Sequence, residues 1–288
     1  MRALILGATG QVGRALAAAA PARARIVALD RAACDIGDAG QIERAVSDAA
    51  PDILFNAAGY TAVDKAEEEE ESATRLNAAA PGLIAAAARR AGARTVHLST
   101  DFVFDGRSSR PYRPDDATAP LSVYGRTKLD GERAAVAADP DVLIVRTAWV
   151  YAPSGANFVN TMLRLMRERE RIEVVADQLG TPTRAASLAS ALWALALAGA
   201  AGVHHFTDAG VASWYDFAIA VEEEGRVAGL LGAPVEIVPV TSLAYPAAAV
   251  RPAYAVLDKQ ATWVLLGGAP PHWRTNLRAS LREAGADG

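Results

Sequence analysis

Cysteine, lysine and long apolar runs are scarce in this 288-residue chain, and each scarcity excludes a class of protein. The lone Cys34 rules out an internal disulfide framework and fits a reducing cytoplasm. The apolar run at residues 3–6 is too short for a signal segment or a membrane span. The alanine-rich segment 185–201 is also short and carries serine and tryptophan, which is typical of a packed helix. We therefore expect a cytoplasmic protein without a membrane partner.

Basic clusters are absent as well. The net charge is −4 and the isoelectric point is near 5.7, so a nucleic acid is not an expected partner. The five consecutive acids of Glu67–Glu71 are interpreted as a solvated helix start without a catalytic role, since acids are favoured near a helix N-terminus. A hydrophobic fraction of 51% suits a globular protein with a full core.

The first half of the chain alternates short apolar runs with longer helical patterns. Strands are predicted at 3–6, 26–29, 53–56, 95–99 and 142–146, and helices at 11–20, 39–50, 72–91 and 123–138. This alternation predicts an α/β fold with a Rossmann-like, doubly wound parallel sheet. After Tyr151 the pattern loosens, which predicts a smaller C-terminal α/β lobe that shares helices with the first unit.

A glycine-rich loop joins the first predicted strand to the first helix. Its residues are Gly7, Ala8, Thr9, Gly10, Gln11, Val12 and Gly13. Glycines allow a tight turn and a close approach to a pyrophosphate, whose charge then lies at the helix N-terminus. The spacing is Gly-x-x-Gly-x-x-Gly rather than the usual Gly-x-Gly-x-x-Gly. The loop predicts dinucleotide binding, with a plain tight turn as the alternative.

Residues after the next two strands extend this predicted cofactor site. Asp30 can accept hydrogen bonds from the adenosine ribose and would disfavour a 2′-phosphate, whereas Arg31 could soften that rejection. We expect NADH, with NADPH also accepted; the alternative for Asp30 is a turn cap. Asp35 and Ile36 are placed near the adenine. Small residues after the third strand leave room for the dinucleotide, and the segment comprises Ala57, Ala58, Gly59, Tyr60 and Thr61.

Tyr124 and Lys128 form a Tyr-x-x-x-Lys pair, which is improbable by chance because the chain has only seven tyrosines and three lysines. Four residues bring both side chains onto one helix face. An ammonium group beside a phenol stabilises its anion, so we expect the Tyr124 pKa to fall towards neutrality and the phenol to act as a general acid. Thr100 ends a predicted strand and can donate to a substrate carbonyl. The alternative for Tyr124 and Lys128 is an incidental pair on a surface helix, and the alternative for Thr100 is a cap for the following segment.

In this order of motifs the chain resembles the extended short-chain dehydrogenases/reductases and, within them, the dTDP-4-dehydrorhamnose reductase family. The similarity spans nearly the whole chain. The matching segments are 10–13, 61–67, 99–106, 120–132, 146–151, 155–158, 177–183, 213–217 and 251–252.

The resemblance implies NAD(P)H-dependent reduction of the C4 ketone of dTDP-4-dehydro-6-deoxy-L-mannose to dTDP-L-rhamnose. Tyr124 would donate the proton, and Lys128 would assist it and hold the nicotinamide ribose. Thr100 would tune the tyrosine. The implied substrate ligands are Thr100, Asp101, Trp149, Asn157 and Arg251. The alternative for Trp149 is an ordinary core tryptophan, and that for Arg251, a diphosphate clamp, is a surface ion pair.

The sequence departs from the family in two places. Some members bridge a dimer through Mg²⁺ held by glutamates, where this chain has Arg14-Ala15 and Arg184-Ala185-Ala186. A hard cation needs oxygen ligands, so we expect no metal site and a monomer or a weak homodimer. The segment after Arg251 lacks the usual serine, which would loosen substrate contacts. His97 is interpreted as a packed core residue.

Two units are therefore predicted. Residues 1–151, with part of 180–205, would bind the dinucleotide, and residues 152–179 and 206–288 would bind the substrate. Two other functions stay open at this point. One is another nucleotide-sugar reductase or epimerase, which would use the same tyrosine and lysine. The other is a dinucleotide-binding regulatory subunit of the kind found beside methionine adenosyltransferase, although such a subunit needs no proton donor.

Overall fold

The computed structural model describes residues 1–286, so Asp287 and Gly288 of the predicted C-terminal lobe lie outside it. The strands are β1 (Arg2–Leu6), β2 (Arg25–Leu29), β3 (Ile53–Asn56), β4 (Arg94–Thr100), β5 (Leu143–Thr147), β6 (Val150–Tyr151), β7 (Arg171–Val175), β8 (Leu179–Gly180), β9 (Thr183–Arg184), β10 (Gly202–His205), β11 (Ala212–Ser213) and β12 (Glu236–Val240). The α-helices are α1 (Gln11–Ala18), α2 (Ala39–Ala49), α3 (Glu70–Ala73), α4 (Ala80–Arg90), α5 (Val123–Ala138), α6 (Phe158–Glu168), α7 (Ala185–Leu197), α8 (Trp214–Val227), α9 (Gln260–Leu265) and α10 (Trp273–Ala286).

Six parallel strands form the central sheet in the order β10-β5-β4-β3-β1-β2. Strand β5 is buried along its whole length, as is typical of a central strand in a parallel sheet, and it begins with three apolar residues. Leu16 of α1 and Leu192 of α7 pack in one core on the sheet, and Ile42 of α2 and Ile84 of α4 pack in another. Helices thus cover both faces, and the predicted doubly wound α/β fold is confirmed.

A further core lies in the C-terminal part of the chain. Helices α6, α8 and α10 pack with the parallel pair β7–β12 around Phe217, Val221 and Leu277. By contrast, β10 pairs with β5 and α7 packs on α1, so this later stretch of chain returns to the first sheet. The predicted limits of the two functional units stay a prediction. None of the helices in residues 1–286 is long and apolar enough to span a bilayer.

The helix predicted at 72–91 was wrong in one respect, because a π-helical segment, Thr74–Ala79, separates α3 from α4. The widened turn carries the buried Asn77, whose carbonyl faces α5 at Gly131. A Cβ atom on Gly131 would lie 1.9 Å from that carbonyl oxygen. The close approach of the two helices therefore depends on a glycine at this position.

We predict that Gly131→Ala destabilises the protein by about 1–3 kcal/mol, because the added methyl forces α5 away from the π-helical segment. Urea denaturation would measure the loss. Gly232→Ala is the matched control, because nothing lies within 4 Å of a Cβ atom built there. Equal stability of the two variants would show that the backbone contact at Gly131 is unimportant.

Candidate active site

The glycine-rich loop has the geometry of a backbone cradle. Gly7 has a φ of +88°, and a Cβ atom on it would lie 2.8 Å from the backbone of Ala57 and Ala58. On Gly13 such an atom would lie 2.1 Å from the Gly7 carbonyl oxygen, so α1 can start this close to β1 only with glycine there. No side chain caps the start of α1 at Gly10, which leaves its N-terminal amides open to an anion.

The segment after β3 is held by Asn77, a residue that the sequence interpretation missed. Its Oδ1 accepts from the Tyr60 amide at 2.8 Å, and its Nδ2 donates to the Tyr60 carbonyl at 2.9 Å. Gly59 leaves room for this contact, since its Cβ would lie 2.8 Å from Asn77 Oδ1. The same segment also contains Ala57, Ala58 and Thr61. The sequence offered one signal for this role, since Asn77 is a polar residue next to a run of alanines in the predicted helix 72–91.

The residues expected around the adenosine differ in their surroundings. Asp30 accepts from the Ala33 amide at 3.0 Å, so it caps a turn and is still partly exposed. Asp35 accepts from the Gly37 amide and pairs with Arg75 at 3.2 Å; these contacts lower its pKa. The Ile36 side chain is buried in the core, so only its backbone could approach an adenine.

Helix α5 carries Tyr124 and Lys128, and its start is fixed by several contacts. The Ser122 hydroxyl accepts from the Gly125 amide, and Glu67 Oε1 accepts from the Val123 amide at 2.8 Å. The acidic run is thus more than a solvated helix start, because Glu69 also accepts from the Tyr60 hydroxyl. Sequence alone could not show this, since the acids and α5 are far apart in the chain.

The Tyr124 phenol lies near the end of β4 and the 3₁₀ turn Asp101–Val103 that follows this strand. The Phe102 ring meets it edge-on, with ring centroids 5.5 Å apart. Burial raises the pKa of Tyr124 to about 12; the Thr100 hydroxyl lowers it and Asp101 raises it further. The expected fall towards neutrality was wrong for the free protein. Desolvation outweighs the cation, because the Lys128 ammonium donates to the Leu98 carbonyl at 2.5 Å rather than to the phenol.

Lys128 is itself 7% exposed, and burial lowers its pKa to about 8 while Glu132 raises it. The Lys128 ammonium also affects the pKa of His97, whose 1% exposure is that expected of a core residue. Burial, and then Lys128, hold the pKa of His97 well below its usual value, so that the imidazole is neutral. The Asn56 amide donates to its Nδ1 at 3.0 Å.

Thr100 and Asp101 meet Tyr124 at the carboxyl end of the sheet. Thr100 Oγ1 accepts from the Phe102 amide, as a cap would, and donates to Asp101 Oδ1 at 3.0 Å. Asp101 is 2% exposed and its Oδ2 atom has no partner in the structure. Burial raises the pKa of this carboxyl to about 7. Asp101 Oδ2 is thus a buried oxygen without a partner near the hydroxyl groups of Thr100 and Tyr124, and such an atom is suited to bind a polar ligand.

The remaining predicted substrate ligands lie in the second half of the chain. Trp149 has a φ of +49°, which is rare for a bulky residue. Its ring stacks on that of Trp214, with the ring centroids 3.5 Å apart. Asn157 donates to Gln11 Oε1 at 3.0 Å and caps α6, so its amide is engaged within the protein. Arg251 forms a two-pronged ion pair with Asp64 at 2.6 and 3.0 Å.

Arginines stand at the two places where the resemblance implies metal-bridging glutamates in some members. Arg14 donates to the Thr9 carbonyl and Arg184 pairs with Glu283. Within residues 1–286, no group of three or more histidine, cysteine or acidic side chains could hold a metal ion. The expectation of no Mg²⁺ site stays a prediction.

The doubly wound parallel sheet, its glycine cradle and the tyrosine–lysine pair on α5 define a short-chain dehydrogenase/reductase. Residues 1–285 match the family described as RmlD substrate binding domain. A dTDP-4-dehydrorhamnose reductase of Burkholderia thailandensis is 43% identical over 295 residues, covering 98% of this chain and 99% of the relative. This chain belongs to the dTDP-4-dehydrorhamnose reductase family and is an oxidoreductase.

Solved structures agree with this assignment. A dTDP-4-dehydrorhamnose reductase of Clostridium acetobutylicum superposes with a TM-score of 0.91 at 36% identity, covering 98% of each chain. The enzyme of Bacillus anthracis, solved in complex with NADP, gives 0.92 at 34% identity and covers 98% of this chain and 99% of its own. The predicted family is therefore confirmed along nearly the whole chain.

We predict that Asp101→Asn changes the pH dependence of stability. A carboxyl whose pKa rises on folding stabilises the fold fully below its unfolded pKa, and this contribution is lost as pH rises through about 7. Relative to the wild type, the variant should therefore gain up to about 4 kcal/mol between pH 4 and pH 8. Thermal unfolding across this range would measure it. A constant difference between the two proteins would show that Asp101 ionises as freely as in water.

Proposed function

We propose that this protein reduces the C4 ketone of dTDP-4-dehydro-6-deoxy-L-mannose (dTDP-6-deoxy-L-lyxo-4-hexulose) to dTDP-L-rhamnose, with NADPH or NADH as reductant. Family membership and the relatives' names support the reaction. NADP in the Bacillus anthracis relative supports the cofactor class. The observation that carries the proposal is the meeting of Tyr124, Thr100 and the unpartnered Oδ2 atom of Asp101 near the buried Lys128.

The glycine cradle and the segment after β3 fit a dinucleotide, because added Cβ atoms would fill the space beside their backbones. When bound, the nicotinamide supplies the hydride. The proposed cofactor ligands are Gly7, Gly10, Gln11, Val12, Gly13, Asp30, Asp35, Ile36, Ala57, Ala58, Gly59, Tyr60, Thr61, Tyr124 and Lys128.

Tyr124 supplies the proton. A pKa of about 12 keeps the phenol protonated at neutral pH, yet a phenol is still a stronger acid than the alcohol that forms at C4. The ketone carbon gains the hydride and its oxygen gains the Tyr124 proton, which yields the hydroxyl group. Lys128 lies one turn below and stabilises the tyrosinate left behind, which the solvent then reprotonates.

The substrate is proposed to bind between the sheet and the C-terminal lobe. Asp101 Oδ2 would bind a sugar hydroxyl, and Thr100 would bind the carbonyl. Trp149 offers an indole face and a donor to a deoxyhexose. Arg251 uses three of its five N–H groups on Asp64 and Ala249, which leaves two for a diphosphate. Asn157 would act mainly by holding the glycine loop.

We predict that Tyr124→Phe lowers kcat by about a thousandfold or more while the Kd of NADPH stays within about twofold, because only the transferable proton is lost. Oxidation of NADPH with the dTDP-4-keto sugar measures kcat, and equilibrium fluorescence measures Kd. The control is Tyr245→Phe, since Tyr245 is 60% exposed. Unchanged turnover would remove Tyr124 from the mechanism. Product formed without net cofactor consumption would instead indicate an epimerase.

We predict that Asp30→Ala raises the Kd of NADH by about tenfold and raises that of NADPH less, because a carboxylate at this position binds ribose hydroxyls and repels a 2′-phosphate. Titration of both dinucleotides measures the ratio of the two Kd values. Asp48→Ala, an exposed acid on α2, is the control. An unchanged ratio would assign Asp30 to turn capping alone.

A further inference from the structure

Glu132 continues the line of Tyr124 and Lys128 along α5. The three residues follow one another at four-residue intervals, so their side chains leave the same face of the helix. Glu132 is 4% exposed and lies one turn beyond Lys128, on the side away from the phenol. The reaction described above has no role for this buried carboxylate.

The Glu132 carboxylate is fixed by three donors. Arg146 of β5 donates from Nε at 2.9 Å and from Nη2 at 2.7 Å, and the Ser99 hydroxyl donates to Oε1. Arg146 is held in turn by the Pro114 carbonyl at 3.1 Å. Paired, two-pronged donation by a guanidinium is typical of an ionised carboxylate. Glu132 is therefore a negative charge at a defined position.

Glu132 is the charged group that acts to raise the pKa of Lys128 against the effect of burial. Among the residues described, no carboxylate forms an ion pair with the Lys128 ammonium within 4 Å; Glu132 pairs with Arg146, and the ammonium donates to the Leu98 carbonyl. His97 of β4 is neutral, Asp101 lies towards Tyr124, and Arg146 lies behind Glu132. Several charged groups on the packed elements instead contact the ends of α5 or other partners: Glu67, Glu70, Arg75, Arg89, Arg90 and Arg94.

We propose that Glu132 is a positioning residue that keeps the buried Lys128 ammonium charged beside Tyr124. As far as it concerns turnover, the proposal rests on the proposed function. A tyrosinate formed by proton transfer needs a cation next to it, whereas burial favours the uncharged amine. The fixed carboxylate offsets that effect, and its field is strong because both groups lie in a region of low dielectric constant.

The free protein allows a direct test, because it contains only three lysines. Lysine labelled with ¹³C at Cε gives three NMR signals to titrate, and Lys65→Arg assists their assignment. We expect Glu132→Gln to lower the pKa of Lys128 by about one pH unit or more from its value near 8. Glu132→Asp keeps the charge and should leave that pKa closer to the wild-type value.

Glu224→Gln is the matched control. Glu224 is also 4% exposed and is held by Arg274 and Arg278, but it lies in the C-terminal lobe. The Glu224→Gln variant should be less stable than the wild type, but its Lys128 pKa should be unchanged. If Glu132→Gln does not fold, Glu132→Met with Arg146→Met replaces the pair by apolar side chains, which is often tolerated, and it should still lower the pKa of Lys128. An unchanged Lys128 pKa, or an equal change in Glu224→Gln, overturns the proposal.

Turnover gives a second readout. We expect the alkaline limb of the kcat profile of Glu132→Gln to move to lower pH, with kcat about fivefold lower at pH 8 and KM little changed. Glu224→Gln should keep the wild-type profile. An unshifted limb would overturn the proposal even if kcat fell. A wild-type protein that does not turn over the dTDP-4-keto sugar would contradict the proposed function, and the NMR titration would still decide the role of Glu132.

Discussion

The contact of α5 with the backbone around it is the constraint on which the proposed active site depends. A Cβ atom on Gly125 would lie 2.2 Å from the Phe102 carbonyl oxygen, and one on Gly131 would lie 1.9 Å from the Asn77 carbonyl oxygen. These approaches bring Tyr124 and Lys128 against the end of β4. The same π-helical segment that meets Gly131 also holds the Tyr60 backbone, so the proposed cofactor and proton-donor regions share one support.

Burial then determines the chemistry of the groups that α5 brings together. It raises the pKa of Tyr124 to about 12 and that of Asp101 to about 7, and it lowers that of Lys128 to about 8. Each shift favours the neutral form of its group. Because Lys128 and Glu132 are both buried, the field between them is strong, which is why a carboxylate one turn away is effective on Lys128.

The two parts of the chain meet around the same region. Asn157, which caps α6, donates to Gln11 of the glycine loop, and Arg251 pairs with Asp64 after β3. Trp149, in a left-handed backbone conformation, stacks on Trp214 at the start of α8. Contacts of this kind join the proposed substrate side to the proposed cofactor side.

The sequence by itself determined the alternation of strands and helices, the glycine cradle and the pairing of Tyr124 with Lys128 on one helix face. These features depend on local periodicity, on turn chemistry and on the missing side chains of glycine, all of which can be read along the chain. Only the tertiary structure decided the direction of the Tyr124 pKa, the contact of Glu67 with α5 and the position of Glu132 between Ser99 and Arg146. Those properties depend on desolvation and on partners distant in sequence, which no local pattern records.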